Sequence, residues 1–271
     1  MLSYNQIINK IDQLEEANIL LSALELRVFS ILEKQSMSAK QVANDIKVKL
    51  EGAEVLLNAL TAMGVLTKNT NGYKNTHVTY KYFCESSPDF KKGTVMLKMD
   101  GRGEYESLLH TIKYGRNLKE FEGEDDPIFR KLFTLAMHER SEKYASKVAK
   151  AVTQKKVGKL IDLGCGPGSY SAAILKKDKT ATATLLDRAV AIKVARKLFK
   201  NQSLYKRLNF VSGDLFDNKF ESGYDTVLLS NIIHIYNTSQ NKTIFKKINK
   251  CLKNGGRFIL YDLFLKNSKI E

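Results

Sequence analysis

The sequence is poor in the features that mark secreted, zinc-binding and membrane proteins. It has no tryptophan and only three cysteines, Cys84, Cys165 and Cys251, in 271 residues. The cysteines are far apart and form no CxxC pair, which argues against a disulfide framework or a zinc site and favours a reducing compartment. No apolar run approaches the roughly 20 residues that span a bilayer, and acidic residues interrupt the N-terminal stretch where a signal peptide would be apolar. We expect a cytoplasmic protein that binds no metal and no membrane.

Acidic residues are scarce relative to basic ones. The chain has 44 lysines and arginines against 29 aspartates and glutamates, a formal net charge of +15. Such an excess raises a nucleic-acid or membrane-surface partner as a hypothesis. The lysines are scattered as pairs along the chain, however, and a lysine- and asparagine-rich genome explains that pattern at least as well. An RNA partner therefore stays a minor alternative.

Residues 1–85 have the element order of a winged helix. Apolar residues recur at helical spacing over 5–33. Ser38 is a plausible N-cap for a short second helix, and a third helix over 51–64 precedes a two-residue hairpin signal at Asn71-Gly72. The sequence therefore predicts three helical stretches followed by a β-hairpin.

A winged helix suggests DNA binding as a function. The composition of the third helix argues against it. Residues 51–64 contain no lysine or arginine and carry Glu51 and Glu54, whereas a helix that enters the major groove needs basic or amide side chains. We expect no DNA partner, and we prefer a dimerisation or lid role for this domain.

The remainder of the chain predicts a helical segment and then an α/β domain. Residues 86–155 read as helical, with a polar interruption over 115–127. From residue 156 short β-rich runs alternate with helical segments, which is typical of a parallel sheet covered by helices. The predicted strands are KLIDLG, TATATLLD, LNFVSGD, YDTVLLSN and GRFILYD.

The segment LIDLGCGPGSY carries the first chemical signal, because a strand, a glycine-rich turn and a helix make a nucleotide-binding arrangement. The spacing is Gly164-x-Gly166-x-Gly168. A dinucleotide fingerprint would have a further glycine where Ser169 stands. The turn therefore disfavours a nicotinamide dinucleotide.

Three acids narrow the ligand. Asp187 ends the strand that follows the turn and can accept hydrogen bonds from a ribose diol. Asp214 ends the next strand, within reach of an adenine amino group, and Asp162 is expected inside the turn, where a carboxylate suits ammonium and sulfonium groups. Each strand-end acid taken alone could instead be a helix N-cap. Together the features predict S-adenosylmethionine.

At this point the chain resembles the class I S-adenosylmethionine-dependent O-methyltransferases of the caffeic-acid and hydroxyindole type, from about residue 15 to the end. The segments that carry the resemblance are ALELRVFSIL, LLNALTAMGVL, FTLAM, LIDLGCGPGSY, DRAVAIKVARK, VSGDLF, LLSNIIHIY and LKNGGRFILYD. The resemblance implies a homodimer formed through a winged-helix domain (1–85), a helical linker that contributes to the acceptor pocket (86–155) and a Rossmann-like cofactor domain (156–271). It also implies methyl transfer to a hydroxyl of a small molecule, and we expect that molecule to be aromatic.

The resemblance also implies the site residues. His234 matches the family's general base, although the family commonly has His-Asp-Trp where this chain has His234-Ile235-Tyr236. Asp262 matches an acid that holds this histidine. Plain alternatives are packing at a helix start for His234, a strand-end cap for Asp262 and core packing for Met137. The full set comprises the catalytic pair His234 and Asp262, the cofactor residues Asp162, Gly164, Gly166, Gly168, Asp187, Asp214, Leu215, Ser230 and Asn231, and the acceptor-pocket residues Phe133 and Met137.

Two sequence features bear on the type of methyl transfer and on the level of activity. The segment Ser230-Asn231-Ile232-Ile233 lacks the proline typical of DNA and protein amide methyltransferases, which argues against that chemistry. Family members continue with a further helix and two strands, so we expect this chain to lack the last part of the sheet. Alternatives are therefore a catalytically weak or regulatory S-adenosylmethionine-binding protein and an RNA-directed methyltransferase.

Overall fold

A computed structural model of the chain describes residues 2–100, 112–113, 126–217 and 220–264. Most of the polar interruption expected over 115–127 therefore lies outside the described residues. None of the helices in the described part of the chain combines the length and apolar character that a bilayer crossing requires.

The first compact unit, Met1–Leu118, has the predicted order of helices and hairpin. The hairpin strands β1 and β2 pair antiparallel, from Leu66 opposite Asn75 to Asn69 opposite Gly72. Its elements are α1 (Tyr4–Glu25), α2 (Val28–Leu32), α3 (Ala39–Ile46), α4 (Leu50–Ala62), β1 (Leu66–Asn69), β2 (Gly72–Asn75), α5 (His77–Phe83) and α6 (Lys92–Met99).

Two boundaries in this unit differ from the sequence reading. The first helical stretch is broken at Arg27, whose φ of 57° is left-handed, so α1 and α2 are separate helices. The hairpin loop is Thr70-Asn71, one residue earlier than the predicted Asn71-Gly72, because Gly72 already pairs with Asn69; β2 ends at Asn75 and α5 begins at His77. The side chain of Thr76 caps this helix by accepting a hydrogen bond from the backbone N–H of Thr79, which redirects the chain.

Local capping and apolar burial hold the first unit together. Ser38 is the N-cap of α3 and forms a capping box with Gln41, a motif worth about 1 kcal/mol. The core beneath it is made of fully buried side chains such as Phe29, Leu57 and Leu60. The predicted cap is therefore confirmed.

The second compact unit, Lys119–Glu271, is built on a five-stranded sheet with all strands parallel, in the order β5-β4-β3-β6-β7. This confirms the predicted Rossmann-like α/β fold. A 3₁₀ turn spans Ser203–Arg207. The other elements are α7 (Pro127–Val152), β3 (Lys159–Leu163), α8 (Ser169–Lys177), β4 (Thr182–Asp187), α9 (Ala189–Phe199), β5 (Leu208–Ser212), β6 (Tyr224–Ser230), α10 (Thr238–Cys251) and β7 (Leu252–Tyr261).

Helices cover both faces of this sheet, as parallel strands require. On one face α7, α8 and α9 enclose a core that includes Val148, Ile174 and Leu185. On the other face α10 packs through Ile244 and Ile248. The predicted linker segment 86–155 supplies elements to both units, α6 to the first and α7 to the second.

Candidate active site

The carboxyl ends of the central strands form the candidate site. Strand β3 lies between β4 and β6, and the chain winds outward from it in both directions. Ligands of open parallel sheets bind at such a reversal, just beyond the carboxyl ends of the strands. The glycine turn follows β3 at this point.

Backbone conformation and the space around each residue explain why the turn has three glycines. Gly164, Gly166 and Gly168 have φ values of 65°, 53° and 73°, which side-chain-bearing residues rarely adopt. A Cβ on Gly168, the N-cap of α8, would lie 2.6 Å from Leu185 Cδ1, and one on Gly164 would lie 2.5 Å from Ile232 Cδ1. A Cβ on Gly166 would meet nothing within 4 Å, so the bare backbone there borders space open to a ligand.

Asp187 joins the end of β4 to the glycine turn. Its carboxylate oxygens accept hydrogen bonds from the N–H of Gly166 at 2.6 Å and from that of Arg188 at 2.7 Å. Burial raises the pKa of Asp187, while these two hydrogen bonds act in the opposite direction. Because each carboxylate oxygen has two lone pairs, the group keeps acceptor capacity for a ligand hydroxyl.

The sequence predicted Asp162 inside the turn, and this prediction is wrong: the residue lies within β3. The strand continues to Leu163, and Asp162 is only 1% exposed. One oxygen accepts a hydrogen bond from Ser171 Oγ at 2.6 Å, and the other has no hydrogen-bond partner among the described residues. Burial raises the pKa of this carboxyl to about 7, against the effect of Ser171. A buried acid with spare acceptor capacity suits a cationic ligand.

The loop after β5 holds Asp214 and Leu215 at the same edge. Asp214 accepts a hydrogen bond from the N–H of Phe216 at 2.7 Å, and its other oxygen lies 4.0 Å from the Arg188 guanidinium. Lys247 of α10 donates to the carbonyl oxygens of Leu215 and Phe216, at 2.6 and 2.7 Å. This lysine was not singled out from the sequence, and it ties the loop to the opposite helix layer.

Ser230 and Asn231 lie where β6 ends. Ser230 is the last residue of the strand and is buried, and Asn231 follows with a left-handed φ of 55°. The N–H of Asn231 donates to the carbonyl oxygen of Tyr261 at 2.8 Å. The chain therefore turns sharply here, and the segment that carries His234 begins.

His234 and Asp262 are brought into contact. His234 Nδ1 lies 2.7 Å from Asp262 Oδ1, the imidazole is half exposed and the carboxylate is fully buried. The same carboxylate accepts hydrogen bonds from the N–H groups of Ile232, Ile233 and Leu263. Burial alone would raise the pKa of Asp262, but the bonds from His234 and these backbone groups hold it below its ordinary value. An ionised carboxylate on Nδ1 keeps the proton there and leaves Nε2 with a free lone pair.

The acceptor-pocket candidates lie on α7. The Phe133 side chain is 36% exposed and contacts the Phe129 ring, with centroids 5.9 Å apart. Met137 follows one turn later and is half buried. Their assignment to an acceptor pocket stays a prediction.

Sequence reasoning missed how α7 reaches the glycine turn. His138 Nδ1 lies 2.7 Å from the hydroxyl oxygen of Ser169, the first residue of α8, and the His138 ring packs on Phe199. Ser171, which donates to Asp162, was missed as well. The alternating serines of the segment GSYS were the available signal.

Family models match both units of the chain. The O-methyltransferase domain matches residues 98–270, and the O-methyltransferase dimerisation domain matches residues 11–83. The chain belongs to the O-methyltransferase family. It is an S-adenosylmethionine-dependent O-methyltransferase, and the open backbone at Gly166 with the acids around it fits this cofactor.

Individual relatives agree with this family. The chain is 26% identical over 263 residues to the 3-hydroxy-5-methyl-1-naphthoate 3-O-methyltransferase of Streptomyces sahachiroi, an alignment that covers 92% of this chain and 74% of that protein. An O-methyltransferase family protein from Burkholderia thailandensis has a TM-score of 0.88 at 22% identity, over 100% of this chain and 82% of that one. Human N-acetylserotonin methyltransferase, solved with S-adenosylmethionine, has a TM-score of 0.81 at 21% identity, over 99% of this chain and 83% of that one.

The O-methyltransferase should gain stability at neutral and higher pH when Asp162 is replaced by asparagine. Because the folded pKa of about 7 lies above the ordinary 3.8, the folded state binds more protons than the unfolded state in this window, and stability falls as pH rises from about 4 to 7. Asp162→Asn mimics the protonated acid and should raise the melting temperature by roughly 5 °C at pH 8 and by little at pH 4.

Asp225→Asn is the matched control for this prediction. Hydrogen bonds from the Lys159 N–H and from Lys253 lower the pKa of Asp225, so this substitution should reduce stability above the unfolded pKa. An equal melting temperature of Asp162→Asn and the parent at pH 8 would contradict the raised pKa.

Proposed function

We propose that His234 is the general base that takes the proton of a hydroxyl on a small aromatic acceptor, held by Asp262 in the productive tautomer. The observation that supports this is the 2.7 Å contact between Nδ1 and the buried carboxylate. A histidine in this tautomer has Nε2 available to accept a proton. Asp262 makes up for the acid that the family commonly has next to the histidine, where this chain has Ile235.

His234 would take the proton of the acceptor hydroxyl, and Asp262 would orient the imidazole. The acceptor hydroxyl gives its proton to His234 Nε2, and the imidazolium that forms is stabilised by the Asp262 carboxylate at its other nitrogen. When bound, S-adenosylmethionine supplies an electrophilic methyl group on a sulfonium. Holding acceptor and donor in line provides much of the remaining rate acceleration.

We assign the donor's parts to the acids at the strand ends. Asp187, already close to the Gly166 N–H, would accept hydrogen bonds from the ribose diol. Asp214 would reach the adenine amino group, and Leu215 would pack on the ring. The buried Asp162 would favour the positive charge of the methionine moiety, since a cation offsets the cost of an ionised buried carboxylate. Ser230 and Asn231, at the end of β6, would complete the set of residues around the cofactor.

Relatives support the acceptor class. Their names include a hydroxynaphthoate O-methyltransferase, a mitomycin 6-O-methyltransferase and an acetylserotonin O-methyltransferase. The apolar residues Phe133 and Met137, one turn apart on α7, would line the pocket for such an aromatic ring. We therefore assign part of the acceptor pocket to the segment 86–155, between the winged-helix region 1–85 and the cofactor region 156–271.

The chain carries the family's dimerisation domain, and we assign homodimer formation to it. Three apolar residues of α1, Ile7, Ile11 and Leu14, are 49%, 62% and 62% exposed. Their spacing puts them on one face of the helix. An exposed apolar stripe of this kind fits an interface between two copies.

Replacement of His234 by alanine tests the assigned base. Loss of a general base should lower kcat by about 10²- to 10⁴-fold, while the dissociation constant for S-adenosylhomocysteine stays within about twofold, because the substitution leaves the acids around the glycine turn in place. Single-turnover assays with a hydroxynaphthoate acceptor and calorimetry would measure both quantities. His77→Ala, on α5 of the other unit, is the control and should keep full activity. Activity of His234→Ala above a tenth of the parent's would exclude the base.

Replacement of Asp187 by asparagine tests the cofactor assignment. Losing charge-assisted hydrogen bonds to the ribose should weaken S-adenosylhomocysteine binding by roughly 10- to 100-fold, as measured by calorimetry. Asp225→Asn is the matched control, because Asp225 lies near the amino end of β6, at the opposite end of the strands from the candidate site. Equal affinities for the two variants would contradict the assignment.

Substitution of two exposed apolar residues of α1 by glutamate tests the proposed homodimer. Light scattering at micromolar concentration should give twice the chain mass for the parent, and Ile11→Glu with Leu14→Glu should shift the protein to monomer, because buried unpaired charges oppose association. Lys10→Glu, an exposed position on the same helix, should leave the dimer intact. A monomeric parent would overturn the dimer.

A further inference from the structure

A lysine of α10 holds the loop that follows β5. Lys247 Nζ donates hydrogen bonds to the backbone carbonyl oxygens of Leu215 and Phe216, at 2.6 and 2.7 Å. The same ammonium group lies 4.6 Å from the centroid of the Phe220 ring. Charge-assisted hydrogen bonds are stronger than neutral ones, and the aromatic face adds a cation–π contact. One side chain therefore makes three contacts with this short stretch of the chain.

Lys247 lies beside a buried part of its helix. Ile244 and Ile248 of α10 are fully buried, and Lys247 itself is half buried. Burial lowers the pKa of Lys247, and the carboxylates of Asp214 and Asp217 act in the opposite direction. A partly buried cation is tolerated where polar groups compensate its charge, and here those groups belong to the loop after β5.

The other end of this loop is held by the sheet. The N–H of Gly213 donates to the carbonyl oxygen of Asp187, the last residue of β4, at 2.9 Å. Asp214 follows, and its carboxylate accepts a hydrogen bond from the N–H of Phe216 at 2.7 Å. Because Gly213 is bonded to β4 and Phe216 to Lys247, the Asp214 carboxylate lies between two anchored points of the backbone.

The loop also contacts the glycine turn and the segment after β6. Leu215 is 6% exposed, and a Cβ on Gly164 would lie 3.7 Å from Leu215 Cδ1. The Phe216 ring meets the Tyr236 ring edge to face, with centroids 5.0 Å apart and planes at 87°. A shift of the loop would therefore displace the two residues assigned to the adenine, Asp214 and Leu215, relative to the turn.

We propose that Lys247 is a positioning residue for the adenine of S-adenosylmethionine, because it holds the loop in which the Asp214 carboxylate meets the adenine amino group. Lys247 acts on the ligand through Asp214 and Leu215, and the inference rests on their assignment in the proposed function. Its consequence is that a cation on α10 sets the selectivity of the enzyme for the nucleobase.

Selectivity between two nucleobases is the quantity that tests this role. S-inosylhomocysteine has a carbonyl oxygen where S-adenosylhomocysteine has the amino group, so it cannot donate a hydrogen bond from that position. A site built to accept such a bond rejects the analogue that lacks it. Calorimetry should show that the parent binds S-adenosylhomocysteine roughly tenfold or more tightly than the inosine analogue. Equal affinities in the parent would overturn both the Asp214 assignment and the inference.

Lys247→Met removes the ammonium group and keeps an unbranched apolar side chain. Affinity for S-adenosylhomocysteine should fall about tenfold, and affinity for the inosine analogue should change by less than about twofold, so that the selectivity is lost. Partial unfolding weakens the apparent binding of both ligands by the same factor. The ratio of the two dissociation constants therefore distinguishes positioning of the adenine from general destabilisation. Unchanged selectivity in Lys247→Met would overturn the inference.

Two further variants serve as controls for this substitution. Lys247→Arg keeps a cation that can donate to both carbonyl oxygens, and it should retain the selectivity within about threefold. Lys246→Met changes the neighbouring, exposed lysine of α10 and should leave both affinities at the parent values. A loss of selectivity in Lys246→Met equal to that in Lys247→Met would assign the effect to the net charge and overturn the role of Lys247.

Asp214→Asn separates the inference from the proposed function. This substitution should abolish the selectivity, and Lys247→Met should have no further effect in the Asp214→Asn background. If Asp214→Asn abolishes the selectivity and Lys247→Met retains it, the Asp214 assignment stands and the inference is wrong. If only Lys247→Met abolishes it, the Asp214 assignment fails, while Lys247 still positions the adenine through the rest of the loop.

Hydrogen exchange gives a readout that needs no ligand. The amides of residues 213–216, which include the Phe216 N–H bonded to Asp214, should exchange about tenfold faster in Lys247→Met, because a lost anchor raises the population of the open loop. The same amides should exchange at the parent rate in Lys246→Met. Parent-like exchange in Lys247→Met would show that the lysine does not hold the loop, whatever the binding data give.

Discussion

Parallel pairing of β3 with β4 and β6 is the constraint on which the site depends. Register places Asp162 beside Leu185 of β4 and Leu228 of β6, so these strands run out at a common edge. All the strands point the same way, and residues that terminate them must therefore meet at that edge, however far apart they are along the chain. The glycine turn, the Asp187 carboxylate and the histidine segment owe their proximity to this geometry.

Burial gives this edge an electrostatic character that matches its ligand. The pKa values of Asp162 and Asp187 are both raised by burial, which means that the free protein holds their charged forms at a cost. A ligand that carries a sulfonium and an ammonium group relieves that cost where a pyrophosphate would add to it. Binding to the folded state alone then also stabilises the fold. On the proposed assignment of these acids, charge as well as glycine spacing favours S-adenosylmethionine over a dinucleotide.

Asp262 shows how one buried carboxylate can both orient a histidine and shape a loop. It collects hydrogen bonds from the N–H groups of Ile232 and Ile233 and from the His234 imidazole, and these bonds offset the penalty that burial imposes on its charge. The replacement of an acid by Ile235 beside the histidine therefore leaves the imidazole oriented. His234 lies in the segment after β6 and Asp262 directly after β7, so any change in the β6–β7 register would separate them.

Local patterns determined much of this protein from sequence alone: the Ser38 cap, the presence of a hairpin around Asn71, the parallel α/β order and the glycine turn. Each is a short-range effect of backbone freedom or side-chain hydrogen bonding between near neighbours, and such effects can be recognised without a fold. Only the tertiary structure decided that Asp162 is a buried strand residue, that Asp262 contacts the histidine's Nδ1 and that His138 reaches Ser169. These contacts join residues that are distant in the chain, and their geometry is set by strand register and helix packing, which no local pattern specifies.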